Sequence, residues 1–269
     1  MARQLIVIVP GNPGDAYYYS GFAGALRARG YEVAVFDHAR LTRPPSNMLV
    51  YARHQAEQVQ RYLRESGRST RDVELIVVGH SVGAYVAHLI DRQGYLPVSR
   101  IVHLFPFFAR PSWRAFVSLA VWGRLGPQLL AAFRWLPRAR QEAWLKRKGM
   151  HAHHAHIIGS LYSEHASSYT SMGSAEFSEI GRYPDAAHVW RDSRLSRQGR
   201  VACLFIDHDA WSPAKEHPDV RSISYRITRP VSHTFVLDEQ SWPVVAEAIQ
   251  ALVNPGIEND IVERLEARG

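Results

Sequence analysis

One short turn sequence constrains this chain more than any other feature. The run ELIVV at 74–78 is typical of a buried parallel strand, and it leads directly into GHSVG at 79–83. The next residues, 82–93, carry apolar side chains at three- and four-residue spacing, which favours a helix. A serine in a G-x-S-x-G turn between a strand and a helix has a strained backbone, and the flanking glycines avoid a steric clash. The pattern therefore predicts that the Ser81 hydroxyl projects from the end of a sheet as a nucleophile.

Other strand-like runs alternate with helical segments along the chain. The runs lie at 4–9, 31–36, 99–105, 200–206 and 222–227, and the helical segments at 21–29, 47–66 and 240–253. This alternation predicts the α/β class, with a mostly parallel sheet and helices on both faces. The charged tail after Pro255 predicts a terminal helix or a frayed end.

The alternation stops between Pro106 and about Gly199. Because this stretch follows one predicted strand and precedes another, we interpret it as a helical lid insertion at 106–199 between two core segments, 1–105 and 200–269. Five of the seven tryptophans lie in it: Trp113, Trp122, Trp135, Trp144 and Trp190. Aromatic residues beside basic ones suit packing over an acyl pocket, and they also suit contact with an anionic lipid surface. Both interpretations stay open at this point.

A serine nucleophile needs a base and an acid, which follow such a turn in the order Ser, acid, His. Asp207 and Asp209 both follow the strand at 200–206. Asp209 is the preferred acid, because Asp207 lies closer to the strand end and can instead cap the loop. His233 lies in the loop before the last predicted helix and is the predicted base.

The oxyanion formed on attack needs preorganised donors. One is the backbone N–H of Val82, directly after the nucleophile. The other is expected in the PGNPG loop at 10–14, where Pro13 has no N–H and Asn12 is the candidate. The loop lacks the spacing and the lysine of a nucleotide-binding loop.

Composition excludes several classes of protein. With 46% hydrophobic and 21% charged residues, the chain is typical of a globular protein. The net charge of +7 is spread without a run of five like charges, so we predict no nucleic-acid partner. The single cysteine, Cys203, excludes an internal disulfide and a cysteine-rich zinc site. We predict no metal at the histidine tract 151–156, because no carboxylate lies close after it. His80 is expected to pack beside Ser81 rather than to act as the base.

No run of about 20 apolar residues and no signal peptide is evident, since a predicted core strand begins near the first residue. These observations predict a cytoplasmic protein, with the lid as a candidate for peripheral contact with a lipid surface.

Four motifs together resemble the lipid droplet-associated hydrolase family, a branch of the α/β-hydrolase superfamily. They are PGNPG at 10–14 with Tyr19 and Phe22, GHSVGAY at 79–85, LFP at 104–106, and Asp209-x-Trp211-x-Pro213 with His233 near Phe235. The resemblance implies an α/β-hydrolase fold, an ester or lipid ester substrate, and no cofactor. It implies Ser81, Asp209 and His233 as the catalytic triad, and it makes Tyr19 and Trp211 candidates for contact with the substrate.

The sequence therefore predicts a serine hydrolase that cleaves carboxylic, lipid-like esters through an acyl-enzyme. Two alternatives remain open. One is a thioesterase that uses the same triad, and the other is a non-catalytic protein that binds lipid surfaces on a hydrolase fold. The sequence gives no oligomeric state.

Overall fold

The structure is a computed structural model of the chain. It describes residues 3–12, 14–37, 47–107, 135–147, 179–180, 193–207, 209, 212, 224–254, 256 and 260–265. All structural statements below refer to these residues.

A single sheet of seven strands forms the centre of the described part, in the order β2-β1-β3-β4-β5-β6-β7. The strands are β1 (Arg3–Val9), β2 (Glu32–Val35), β3 (Val73–His80), β4 (Arg100–Leu104), β5 (Val201–Phe205), β6 (Ser224–Ile227) and β7 (Val262–Arg264). All neighbours pair in parallel except β6 and β7. From β1 the chain first adds β2 on one side and then β3 on the other, so the order of strands changes direction between β1 and β3. At such a point the carboxyl ends of parallel strands open a crevice suited to a ligand.

Helices cover both faces of the sheet. They are α1 (Ser20–Arg27), α2 (Met48–Glu65), α3 (Val82–Arg92), α4 (Arg138–Arg147), α5 (Arg194–Arg197) and α6 (Ser241–Val253), with 3₁₀ turns at Ala16–Tyr19 and Phe235–Leu237. Side chains alternate along β1, so that Leu5 and Val7 pack towards α2 and α3, whereas Ile6 and Ile8 pack towards α1 and α6. The predicted α/β class and mostly parallel sheet are confirmed, and the predicted strands and helices recur within a few residues.

The C-terminal tail differs from the expectation of a helix or a frayed end. Val262–Arg264 forms the short antiparallel strand β7, with Arg264 opposite Tyr225 of β6. The guanidinium of Arg226 also contacts the Glu263 carboxylate. The prediction was wrong because two of the three residues are charged, which gives the segment little strand propensity of its own, and the unpaired edge of β6 supplies its hydrogen bonds.

Described residues of the predicted insertion dock on the core. Glu179 accepts hydrogen bonds from the Met48 N–H at the start of α2 (2.8 Å) and from the Tyr85 hydroxyl of α3 (3.3 Å). Ile180 is only 2% exposed. The histidine tract at 151–156 and three of the tryptophans, Trp113, Trp122 and Trp190, lie outside the described residues. The division into core and lid stays a prediction.

Arginine side chains occupy the outer edge of β2. Arg27 donates to the Val33 carbonyl at 2.8 Å. Arg68 donates to both carboxylate oxygens of Glu32, at 2.7 and 2.5 Å. The hydrogen bond from Arg68 lowers the pKa of Glu32 and outweighs the opposing effect of burial. The carboxylate therefore stays charged at this edge.

Candidate active site

The turn between β3 and α3 has the strained geometry that the sequence predicts. Ser81 has φ 53° and ψ −122°, a region that residues with a side chain rarely adopt. A Cβ on Gly79 would lie 2.5 Å from the Gly83 carbonyl oxygen. A Cβ on Gly83 would lie 2.2 Å from the carbonyl oxygen of Val9. Both contacts are far too short, so this turn can form against β1 only if the two flanking positions are glycines.

The structure brings the three predicted polar side chains together. The Nε2 atom of His233 lies 3.2 Å from Oγ of Ser81, and its Nδ1 atom lies 2.8 Å from Oδ2 of Asp209. The Asp209 side chain is 1% exposed and the His233 side chain 17% exposed. A buried carboxylate at Nδ1 holds the ring so that Nε2 faces the hydroxyl, which is the arrangement that an activated serine requires.

The two aspartates in the loop after β5 have different surroundings. Asp207, the alternative acid, is 57% exposed and forms an ion pair with Arg226 at 3.4 Å. Only Asp209 is bonded to His233. A second anchor of the same loop is Ser212, which is fully buried and donates a hydrogen bond to the Pro106 carbonyl at 2.6 Å. Trp211 lies outside the described residues, so its contact with a substrate stays a prediction.

Tyr19 lies beneath the site rather than on its surface. It is 3% exposed, and its hydroxyl lies 2.7 Å from both the Gly11 nitrogen and Nδ1 of His80. Burial raises the pKa of Tyr19 and outweighs the opposing effect of the hydrogen bond from Gly11. This position does not fit the expected contact with substrate, because both the ring and the hydroxyl are enclosed by the protein.

His80 packs beside Ser81, as expected, but it also makes two hydrogen bonds that the sequence did not predict. Its Nδ1 meets Tyr19, and its Nε2 lies 3.0 Å from the backbone carbonyl of His233. Burial, reinforced by the charge of the nearby His233 ring, lowers the pKa of His80 to about 3. The ring is therefore neutral near pH 7. Its position inside the GHSVG motif was the only signal in the sequence.

The PGNPG loop lies directly against the serine. A Cβ on Gly11 would lie 3.0 Å from the Ser81 Cβ, so the approach depends on this glycine. The loop turns back after Asn12, where the Gly14 N–H donates to the Gly11 carbonyl at 2.5 Å. Because the Gly11 N–H points to Tyr19, Asn12 stays the candidate donor of this loop. Val82 begins α3 directly after Ser81.

Phe105 completes the floor of the site, and the sequence did not signal its conformation. The strand run was predicted to extend through it, but β4 ends at Leu104 and Phe105 has φ 47°. Its ring packs against the rings of His80 and His233, each with centroids 6.0 Å apart, and edge-on against Phe235 at 5.5 Å. These aromatic contacts hold the histidines in an apolar setting.

Two tryptophans of the predicted insertion are exposed. Trp135 is 89% exposed and Trp144 on α4 is 42% exposed, with Leu136 at 38%. Arg140 and Arg147 are exposed on the same helix. We call this group the α4 surface. In the described part of the chain, no helix is long and apolar enough to cross a membrane.

Known proteins resemble this chain in sequence and in fold. A family model described as lipid-droplet associated hydrolase matches residues 2–243. The lipid droplet-associated hydrolase of Mus musculus is 26% identical, and the match covers 92% of this chain and 85% of the mouse protein. Among the solved structures that share the fold, two illustrate the similarity. One is the enol-lactonase from Burkholderia xenovorans LB400 (TM-score 0.60, 14% identity, 93% and 91% of the two chains covered). The other is a lipase-esterase related protein from Clostridium acetobutylicum (TM-score 0.58, 11% identity, 93% and 94% covered). The chain belongs to the lipid-droplet associated hydrolase family, and it is a hydrolase of the α/β-hydrolase type.

Proposed function

We propose that this chain is a serine esterase that cleaves carboxylic esters with lipid-like acyl groups through an acyl-enzyme. The observation that carries the proposal is the continuous set of contacts from Asp209 through His233 to Ser81, at 2.8 and 3.2 Å. Such an arrangement raises the reactivity of a hydroxyl that is otherwise a weak nucleophile.

In the first half of the reaction, the Ser81 oxygen attacks the ester carbonyl carbon while Nε2 of His233 takes the hydroxyl proton. Asp209 accepts a hydrogen bond from Nδ1–H, which fixes the tautomer and stabilises the imidazolium. The carbonyl oxygen becomes an oxyanion, to which the backbone N–H groups of Val82 and Asn12 donate. When the tetrahedral intermediate collapses, the bond to the alcohol breaks and His233 gives its proton to the leaving oxygen.

In the second half, water replaces the alcohol. His233 removes a proton from water, the resulting hydroxide adds to the acyl carbon, and the bond to the Ser81 oxygen breaks. His233 returns the proton to Ser81, which releases the carboxylic acid and restores the starting state. No cofactor is needed for either half.

Labelling and turnover together test this proposal. A fluorophosphonate should modify Ser81 in the wild-type protein, and Ser81→Ala should lose both the label and ester hydrolysis while keeping the wild-type unfolding temperature. Ser66→Ala is the matched control, because Ser66 is an exposed serine whose hydroxyl bonds only to the end of α2 and to Arg68 among the described residues.

A chain-length series of p-nitrophenyl esters, measured beside the matching acyl-CoA thioesters, tests the substrate class. We expect faster turnover of esters. Faster turnover of thioesters would replace the esterase with the thioesterase, and absence of label and turnover on both series would favour the non-catalytic lipid-binding protein.

The same proposal includes peripheral contact of the α4 surface with an anionic lipid surface, in the cytoplasm. The exposure of Trp135 and Trp144 beside Arg140 and Arg147 supports it, since indole rings and basic side chains together suit the headgroup region. The test is flotation with vesicles that contain or lack phosphatidylserine.

Trp135→Ala and Arg140→Ala should each weaken binding to anionic vesicles several-fold. Arg53→Ala removes the same charge from the exposed side of α2 and should leave binding nearly unchanged. Equal losses for Arg140→Ala and Arg53→Ala would show that net charge, rather than this surface, drives binding.

A further inference from the structure

Three hydrogen bonds connect the PGNPG loop to the backbone of the predicted base. The Gly11 nitrogen lies 2.7 Å from the Tyr19 hydroxyl, which lies 2.7 Å from Nδ1 of His80. The Nε2 atom of His80 lies 3.0 Å from the carbonyl oxygen of His233. The chain of contacts therefore joins four residues from three separate segments of the chain, which lie on both sides of Ser81.

The direction of each hydrogen bond follows from what each group can do. A carbonyl oxygen only accepts, so Nε2 of His80 carries the proton and donates to His233. In the neutral ring Nδ1 then has no proton and accepts from the Tyr19 hydroxyl. That hydroxyl has a single proton, so its oxygen accepts from the Gly11 N–H. Each of these donors and acceptors takes part in one hydrogen bond of the chain. Reversing the direction of any one bond would leave another of these groups without its hydrogen bond.

This arrangement is costly to disturb because the groups are buried. Tyr19 is 3% exposed and His80 is 5% exposed. A buried donor or acceptor that loses its partner keeps its desolvation cost, so the chain of hydrogen bonds resists independent movement of either loop. The rings reinforce it, since His80 packs 5.3 Å from the His233 ring and 5.8 Å from Tyr19.

We propose that Tyr19 and His80 are positioning residues. They fix the PGNPG loop and the loop that carries His233 in their places on either side of Ser81. The proposal rests on the proposed function, because it assigns a task within that reaction. Neither side chain touches the reacting atoms. Tyr19 acts through Gly11, which precedes the candidate donor Asn12, and His80 acts through the carbonyl of His233.

The kinetic test compares Tyr19→Phe with Tyr18→Phe. Both tyrosines are buried in the same 3₁₀ turn, at 3% and 4% exposure, but only the Tyr19 hydroxyl belongs to this hydrogen-bond chain. Tyr19→Phe should lower kcat about tenfold with KM nearly unchanged, because small displacements of catalytic groups act on the transition state. It should weaken inhibition by an alkylboronic acid, which forms a tetrahedral adduct on Ser81, by a similar factor. Tyr18→Phe should change neither quantity.

A second pair of variants tests the His80 end. His80→Gln retains an amide that can donate near the original Nε2 position, whereas His80→Leu retains no polar group. We expect kcat to fall further in His80→Leu than in His80→Gln. Adding Tyr19→Phe to His80→Leu should cost little more, because the connection is already broken.

Spectroscopy supplies a readout that does not depend on turnover. With ¹⁵N-labelled histidine, long-range ¹H–¹⁵N spectra should show His80 as the Nε2–H tautomer, and Tyr19→Phe should shift its Nδ1 signal. The signals that are missing from the spectrum of His80→Gln are assigned to His80.

Different failures have different meanings. An Nδ1–H tautomer would overturn the proposal, and so would an active wild-type protein in which Tyr19→Phe matches Tyr18→Phe. A wild-type protein without label or turnover on any ester or thioester would overturn the proposed function, and this proposal with it.

Discussion

The Nε2 atom of His233 lies 3.2 Å from Oγ of Ser81, although 152 positions separate them in the chain. The contact joins the turn after β3 to the loop after β6, and it forms because both loops leave the carboxyl ends of parallel strands in one sheet. Local sequence preference alone does not bring the two loops together. Their meeting point is set by the sheet, by the buried Asp209 carboxylate and by the aromatic floor beneath them.

The glycines of the turn should tolerate no side chain. Gly83→Ala should destabilise the protein by about 3 kcal/mol or more, because the new methyl group would overlap backbone oxygens of Val9 and Pro10 that cannot move independently. Urea unfolding measures the effect. Gly24→Ala is the control, since a Cβ at this exposed position of α1 meets no atom within 4 Å, and it should stabilise by about 0.5–1 kcal/mol. Similar stability of the two variants would contradict the packing of β1 against α3.

The two aspartates after β5 should differ sharply in their effect on turnover. Asp209→Asn should lower kcat by about 10³–10⁴-fold, because an amide no longer fixes the tautomer of His233 or stabilises its charge. Asp207→Asn removes only an exposed ion pair with Arg226 and should change kcat by less than about threefold. Steady-state kinetics on one ester distinguish them. A larger loss for Asp207→Asn would transfer the role of the acid to that residue.

Relief of the backbone strain at Ser81 should appear as a gain in stability. Ser81 has φ 53° and ψ −122°, which costs a residue with a side chain about 1–3 kcal/mol. Ser81→Gly should therefore unfold with a free energy about 1 kcal/mol higher than Ser81→Ala, after the greater flexibility of unfolded glycine is subtracted. Both variants lack the hydroxyl, so the comparison isolates the backbone. Equal stability would mean that the backbone at this position relaxes.

The neutral His80 ring should make stability depend on pH. Its pKa falls from the ordinary 6.5 to about 3 in the folded chain, so between these values only the unfolded chain binds the proton. The free energy of unfolding should thus fall as pH drops below 6.5, by about 1.4 kcal/mol per pH unit from this residue. Above pH 6.5 the residue should contribute no pH dependence.

Comparison with His80→Gln isolates that contribution. As pH falls from 6.5 to 4.5, the free energy of unfolding should decrease more for the wild type than for His80→Gln. From pH 7 to 8 the difference between the two proteins should be constant. A difference that stays constant from pH 8 to 4.5 would mean that His80 takes up a proton in the folded protein as readily as in the unfolded one.

Sequence reasoning predicted those parts of the molecule in which local pattern and tertiary structure agree. The signal for these parts lies in residues that are close in sequence. They are the apolar runs that form β1 and β3, the glycines around Ser81, and the positions of Asp209 and His233 after their strands. The α/β class with a mostly parallel sheet followed from the alternation of strands and helices, and the resemblance implied the α/β-hydrolase fold. Both are confirmed. The choice between Asp207 and Asp209 rested on distance from a strand end, and the structure bonds Asp209 to His233.

The parts that were not predicted depend on contacts between distant segments. β7 forms because β6 leaves an edge open, and a three-residue segment with two charged side chains has no pattern that predicts this pairing. The position of Tyr19 beneath the site depends on Gly11 and His80, whose approach only the folded sheet brings about. The left-handed backbone of Phe105 likewise has no local signal, because an apolar residue after a strand ordinarily continues it.

The arginines along β2 bear on how the protein behaves in a crowded solution. An outer strand with free backbone groups invites the same strand of another molecule to add to it, which is a common start of aggregation. Here the guanidinium of Arg27 already occupies the Val33 carbonyl, and the pair formed by Arg68 and Glu32 places fixed charges beside it. Replacing these two arginines, for example with Arg27→Leu and Arg68→Leu, would remove the barrier to pairing between the β2 edges of two molecules. The end of the sheet that carries Ser81 would stay unchanged.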